Sequence, residues 1–235
     1  MLFLAVFCGF LAEYQLEHYI EKQRAREFAL SLHRDLVNDT ASFNKTAGQL
    51  NICSKNIDSL VSLLSNPAEL RQQTAKAYKY GAYAFAFPSS SPNESTLQQL
   101  LNSGSLRYFK NNLLVDSIKD YNNFVQLFKE FATSSTDLVF EFRKIQMQFI
   151  DINKLTDFLQ SGGMFSGLNG KYTLYDLAFF GDSQFFTYDP LRLKEYSNWC
   201  SLKKFYLTNT IYRYYSLKAK AAHLLKLLEN DYHIK

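Results

Sequence analysis

A chain of 235 residues with 47% hydrophobic, 16% aromatic and 20% charged side chains can bury a sizeable core, and its composition excludes intrinsic disorder. Its formal charge of +4, from 26 Lys and Arg against 22 Asp and Glu, is too small and too evenly spread for a nucleic-acid-binding face. Only 9 Gly and 4 Pro interrupt it, which favours long helices over β structure.

The chain opens with Met1 to Ala12, MLFLAVFCGFLA, which carries no charged side chain; Glu13, Glu17 and Glu21 follow among Lys22, Arg24 and Arg26. The run is shorter than the ~20 residues that cross a bilayer, and it lacks the basic start and small-residue cleavage site of a secretory signal. A buried core helix, an interfacial anchor and a membrane helix whose beginning lies upstream all compete. The last is favoured, because the run is apolar on every side.

From Glu13 onward the spacing turns helical. Leu32, Leu36, Phe43, Ala47, Leu50, Ile57, Val61 and Leu64 form one stripe, with Thr40 and Ser54 at intervening positions, until Asn66 and Pro67 stop it. The apolar start and this stripe read as one helix, with Gly48 a tolerated weak point. Pro67 opens a second helix to about Tyr80. SSSPNES is a surface loop, and Ser95 or Thr96 caps a short helix that Ser103 and Gly104 end.

The clearest signal follows. Leu114, Ile118, Tyr121, Val125, Phe128, Ala132, Ser135, Val139, Phe142, Gln146 and Phe149 alternate spacings of four and three, and predict a core-facing helix running toward Leu159. Residues 161–190, rich in Gly and aromatics, form a loop. Asp189 and Pro190 open a last helix whose stripe is Leu207, Thr210, Tyr214, Leu217, Ala221, Leu224 and Leu228. The expected fold is all-α: an antiparallel four-helix-type bundle over 13–235, its first helix continuous with the anchor segment 1–12.

The sequence offers little chemistry. The Gly-rich segment fails as a phosphate loop, because Phe165 stands where the first Gly is needed and Tyr172 follows Lys171. Of His18, His33, His223 and His233, His18 beside Glu13 and Glu17 is the best metal candidate, but Glu17 points about 100° away from it on a helix, so no metal is assigned. Cys8, Cys53 and Cys200 lack CxxC spacing and read as small buried hydrophobes; a Cys53–Cys200 disulfide is conceivable only in an oxidising compartment. Asp35 and Asp39, one turn apart, could share a proton, but read more simply as a solvated helix face. No catalytic residue and no cofactor is predicted.

The aromatic clusters are the most unusual feature. Tyr212, Tyr214 and Tyr215 cannot all face one way, so at least one ring should be exposed. Phe179, Phe180, Phe185 and Phe186 could cover the bundle end, touch lipid or meet a partner. Phe179, Phe180, Phe185, Phe186, Tyr212 and Tyr215 are therefore the candidate interaction surface.

Two stretches resemble an uncharacterised bacterial family of single-pass membrane proteins with a helical domain of unknown function. One is GFLAE at Gly9 to Glu13 with Arg24, Arg26, Glu27, Leu32, Asp35, Leu36 and Asp39. The other is LLNSGSLRYFKNNLLVDSIKDY from Leu100 to Tyr121. The resemblance implies a membrane helix entering a charged stalk, with the bundle on the extracytoplasmic side. It brings no activity or cofactor with it.

The leading expectation is a membrane-tethered scaffold whose partners are the lipid bilayer and another envelope protein or a second copy of itself, with no nucleic acid. A sensor bundle binding a small ligand near Ser135 and Gln146 is the alternative. An enzyme would rest only on the Tyr and Asp residues between Tyr172 and Asp189.

Overall fold

The computed structural model describes residues 2–160 and 175–234, and the chain is all-α, with no strand among the described residues. Helix α1 (Leu2–Leu64) joins the apolar start to the stripe without a break. It absorbs Gly48, whose missing Cβ would meet nothing within 4 Å. Its buried positions include Cys53 and Leu60, each one residue before the expected Ser54 and Val61.

The second predicted helix is two helices, α2 (Pro67–Gln72) and α3 (Thr74–Phe85). Asn66 Oδ1 caps the first by accepting from Glu69 N at 3.3 Å, with Pro67 at the first helical position. The break falls where the Thr74 hydroxyl donates to Leu70 O (3.1 Å) and Arg71 O (3.2 Å), a side-chain competition that loosens a helical turn. Helix α3 runs through Gly81, where the backbone lies so close to its neighbours that a Cβ would come within 3.3 Å of Gln146 Nε2 and Ile150 Cδ1.

Helix α4 (Ser95–Asn102) starts two residues after Asn93, whose Oδ1 accepts from Ser95 N. Ser103 and Gly104 end it, Gly104 at φ +68°, before a 3₁₀ turn (Ser105–Tyr108). Helix α5 (Asn112–Gln146) is capped by Asn111 Oδ1 on Leu113 N at 2.9 Å. It ends thirteen residues short of Leu159, because side chains reach across to α3: Gln146 Nε2 donates to Gly81 O (2.8 Å), and Asp151 N donates to Tyr78 Oη (2.9 Å). The chain turns there and continues as α6 (Ile152–Gln160).

Helix α7 (Tyr175–Ala178) lies in the second half of the expected 161–190 loop, whose first half, 161–174, lies outside the described residues. Helix α8 (Pro190–Tyr232) opens where expected, with Asp189 Oδ1 accepting from Arg192 N at 2.9 Å. All seven residues of its predicted stripe are buried, as is the α5 stripe apart from Ala132.

Within the expected 13–235 domain the packing resolves into two compact units. Unit 1 comprises Met1–Phe43, Ser91–Leu127 and Ser216–Lys235; unit 2 comprises Asn44–Ser90 and Phe128–Tyr215. Helices α1, α5 and α8 contribute to both. The core of unit 1 is mainly aliphatic, built on Leu32, Leu36, Leu100, Leu114, Ile118 and Leu224. That of unit 2 is aromatic: Tyr196 stacks on Phe149 with centroids 4.8 Å apart, and Tyr78 packs against Phe180 and Phe185.

Candidate functional site

Helical geometry aims the side chains of Phe3 and of residues 6–20 outward. Phe3 is 82% exposed and Phe10 67%, and Val6, Phe7, Leu11, Tyr14, Leu16, Tyr19 and Ile20 are exposed as well. From Val6 onward the first buried side chain of α1 is Ala25. The segment is therefore not a core helix of this chain: its apolar surface is presented on all sides. Among the described residues no helix is long and apolar enough to cross a membrane.

At the other edge of this segment unit 1 holds an aromatic and cationic cluster. Tyr108 Oη accepts from Arg24 Nη1 at 3.1 Å and from Arg107 Nη2 at 3.4 Å, and the two guanidinium carbons stand 5.9 and 5.2 Å from its ring centroid. The hydrogen bond from Arg107, followed by that from Arg24, holds the Tyr108 phenol below its ordinary value. Tyr232 packs edge-on to Phe109 at 5.8 Å. Between these groups lies a cleft of about 430 Å³, reached by side chains of α1, the 3₁₀ turn and the end of α8.

The six predicted aromatic residues separate into two groups. Phe179, Phe186, Tyr212 and Tyr215 are exposed, Phe186 at 64% and Tyr212 at 70%. Phe180 and Phe185 are core residues, a correction to the expected surface: the first packs against Tyr78 and Phe158, the second against Tyr78 and Tyr188. Phe186 is turned out while its backbone N–H donates to Phe149 O at 2.8 Å. Among the three clustered tyrosines Tyr214 is the buried one, its hydroxyl accepting from Ser90 N and donating to Ser90 O, both at 2.8 Å.

Two buried polar clusters complete the inventory. In unit 1, Asp35 and Asp39 are buried, which overturns their reading as a solvated face. Asn93 N donates to both oxygens of Asp39, at 2.9 and 3.1 Å, and Tyr121 Oη donates to Oδ2 at 3.2 Å. Asp35 accepts from Asn93 Nδ2 (2.9 Å) and from Thr96 Oγ1 (2.6 Å). Burial raises the Asp39 carboxyl above its usual range, against the lowering effect of these donors. The pair pins the polar SSSPNES stretch to α1.

In unit 2, Lys203 is 1% exposed. Its ammonium group donates to Ala84 O and to Ala86 O (3.1 Å), at the C-terminal end of α3, and lies 4.5 Å from the Phe142 ring centroid. Burial pulls it down to about 7. Buried Cys53 and Cys200 are free thiols in the same unit, and burial pushes Cys53 up to about 11 and Cys200 higher still, which makes them inert.

Spacing contained a signal for both clusters. Lys203 falls on the stripe Cys200, Lys203, Leu207, and Asp35 and Asp39 fall between Leu32, Leu36 and Phe43. A charged residue in core register was the sign to read. Ser135 and Gln146 are engaged by their own chain: Ser135 Oγ donates to Phe131 O and Gln146 Nε2 to Gly81 O, both at 2.8 Å. Of the acids behind the enzyme reading, Asp182 and Asp189 are exposed; Tyr172 lies outside the described residues. No group of three or more His, Cys, Asp or Glu converges on a metal position among the described residues.

What fold and surface define is an all-α protein with an outward-facing apolar end. Comparison with protein-family models, with curated proteins and with solved structures finds no match.

Proposed function

We propose that the protein is a membrane-tethered helical interaction module. The observation that carries this reading is the set of exposed large apolar side chains on α1: Phe3, Val6, Phe7, Phe10 and Leu11, followed by Tyr14, Leu16, Tyr19 and Ile20. Apolar surface of this extent on a soluble chain is costly unless lipid or a partner covers it. Lipid is favoured by the order of residues along the helix: an uncharged run to Ala12, then Tyr14 and Tyr19 among Glu13 and Glu17, then Glu21 with Lys22, Arg24 and Arg26. Tyrosines at the boundary and cations beyond it are the pattern of a helix leaving a bilayer. The twelve apolar residues rise about 18 Å, enough to enter the hydrocarbon but not to cross its roughly 30 Å.

Beyond the tether, we read the helices of 13–235 as antiparallel, four-helix-type packing. Support comes from pairs that run in opposite directions along α1 and α8 in unit 2: Asn51 with Tyr215 and Asp58 with Lys204. The exposed Phe179, Phe186, Tyr212 and Tyr215 are offered to a partner protein in the envelope or to a second copy. The extracytoplasmic placement of the bundle rests on the family resemblance.

Fractionation of cells producing the wild type and a Phe7→Asp/Phe10→Asp variant tests the tether. The wild type should sediment with membranes and resist high-salt extraction, while the variant should shift to the soluble fraction with unchanged helicity. Equal distribution of the two would refute the tether.

A further inference from the structure

Building on the membrane-tether reading, we infer that the unit 1 cleft binds the headgroup of a zwitterionic phospholipid. Lys22, Arg107 and Lys110 take the phosphate, and Glu21 and Asp231 take the ammonium.

Position is the first argument. The cleft is lined on α1 by His18, Glu21 and Lys22, and the last outward-facing large apolar side chain of the segment is Ile20, 41% exposed. The cleft thus opens just past Glu13–Ile20, the stretch in which the last exposed apolar side chains alternate with the first charges, on the polar side of the level where the uncharged run ends.

Chemistry is the second. The lining places three cations and two carboxylates around one space of about 430 Å³, within the roughly 300–1,000 Å³ common to small-ligand sites. A purely anionic ligand would face Glu21 and Asp231 with like charge. A purely cationic one would face the three basic groups. A phosphate ester carrying an ammonium satisfies both sets at once. Tyr108 and Tyr232 line the cleft with rings that suit the boundary and can also face an ammonium.

Preorganisation is the third. Arg107 is held by the Tyr108 hydroxyl, which Arg24 also grips, and Asp231 is held by Asn111 Nδ2 at 2.8 Å. Residues that would contact the two ends of the headgroup are thus fixed before it arrives, which lowers the ordering cost of binding.

The test is co-sedimentation of the full chain with vesicles of phosphatidylcholine alone, or with added phosphatidylethanolamine or phosphatidylglycerol. Choline cannot donate hydrogen bonds to the carboxylates, so the wild type should prefer ethanolamine vesicles several-fold. Arg107→Ala/Lys110→Ala should bind roughly tenfold more weakly and lose the preference. Glu21→Gln should lose the preference with little loss of binding to phosphatidylcholine. All variants are first matched to the wild type in helicity and thermal midpoint.

If Arg107→Ala/Lys110→Ala keeps both affinity and preference while Phe7→Asp/Phe10→Asp loses vesicle binding, the cleft assignment falls and the tether stands. Wild-type binding by Phe7→Asp/Phe10→Asp removes the tether and the headgroup site with it. A preference for phosphatidylglycerol over phosphatidylethanolamine overturns the zwitterionic assignment. Binding of soluble glycerophosphoethanolamine by the wild type as tightly as of phosphatidylethanolamine vesicles would make the ligand a free phosphate ester and overturn the lipid assignment.

Discussion

Among the described residues unit 1 buries two acids and unit 2 one base, and each is met by groups at an irregular stretch of the chain: a loop amide with side-chain donors in unit 1, backbone carbonyls in unit 2. In unit 1 the carboxylates of Asp35 and Asp39 collect donors from a polar loop, from Thr96 and from Tyr121. In unit 2 the amine of Lys203 supplies donors to carbonyls that the end of α3 leaves open. The loop needs acceptors and the helix end needs donors. A buried polar residue here is therefore the complement of a particular irregularity in the chain, and its sign follows from which backbone groups that irregularity leaves unpaired.

The sharpest way to break this comparison is to remove Lys203. Lys203→Ala leaves two buried carbonyls unpaired and opens a cavity, so a loss of about 3–5 kcal/mol is expected in urea unfolding followed by Trp199, the only tryptophan and a unit 2 residue. If the loss is under about 1 kcal/mol, the amine is not what closes the end of α3.

Asp39→Ala is the counterpart in unit 1, leaving the Asn93 N–H and the Tyr121 hydroxyl without their acceptor. It should cost about 2–3 kcal/mol by thermal unfolding, and Asp39→Asn, which retains an accepting oxygen, less than half as much.

The two units should also answer pH in opposite directions. Folded Lys203 gives up its proton near pH 7, whereas unfolded it holds it to about 10.5. Unfolding therefore takes up a proton between those values, and stability climbs with pH. Above about 9 the buried Tyr196 and Cys200, raised by burial, reverse the trend as their unfolded forms ionise. The rise between pH 7 and 9 should reach about 2 kcal/mol, and Lys203→Met should abolish it.

Asp39 is raised, so its stabilising effect is present in full below pH 3.8 and is lost as pH rises through its folded value. Acidification from neutrality toward pH 4 should thus favour folded unit 1 through this group, and Asp39→Asn should flatten that gain.

The smallest effect expected is that of Tyr121→Phe, which removes one of the two donors to Asp39, leaves Asn93 N in place and keeps the ring packed. A cost of about 1 kcal/mol in thermal unfolding is expected, and a larger one would make Tyr121 the main support of the carboxylate.

Much of this fold was legible in the sequence. Periodicity located α1, α5 and α8, and the end signals at Pro67, Gly104 and Asp189 were read from residue types with local roles. The early end of α5 was not legible, because Gln146 and Phe149 continue its spacing while the turn is held by Gly81 and Tyr78, some seventy residues away in the chain. Phe180 and Phe185 were assigned to the surface for a related reason: without a period in the loop, nothing local distinguishes them from Phe179 and Phe186. The acids and the lysine were within reach, but a polarity rule outweighed their register.

The grip of Tyr214 on Ser90 has a consequence for how the chain withstands attack. A stretch rich in serine and proline is ordinarily where amides exchange with solvent within seconds and where proteases cut first. Here one phenol occupies both the N–H and the C=O of Ser90, and the Thr46 hydroxyl donates to its side chain at 3.1 Å. The Ser90 amide should exchange as slowly as those of the neighbouring helices, and limited digestion should spare this stretch until unit 2 itself unfolds.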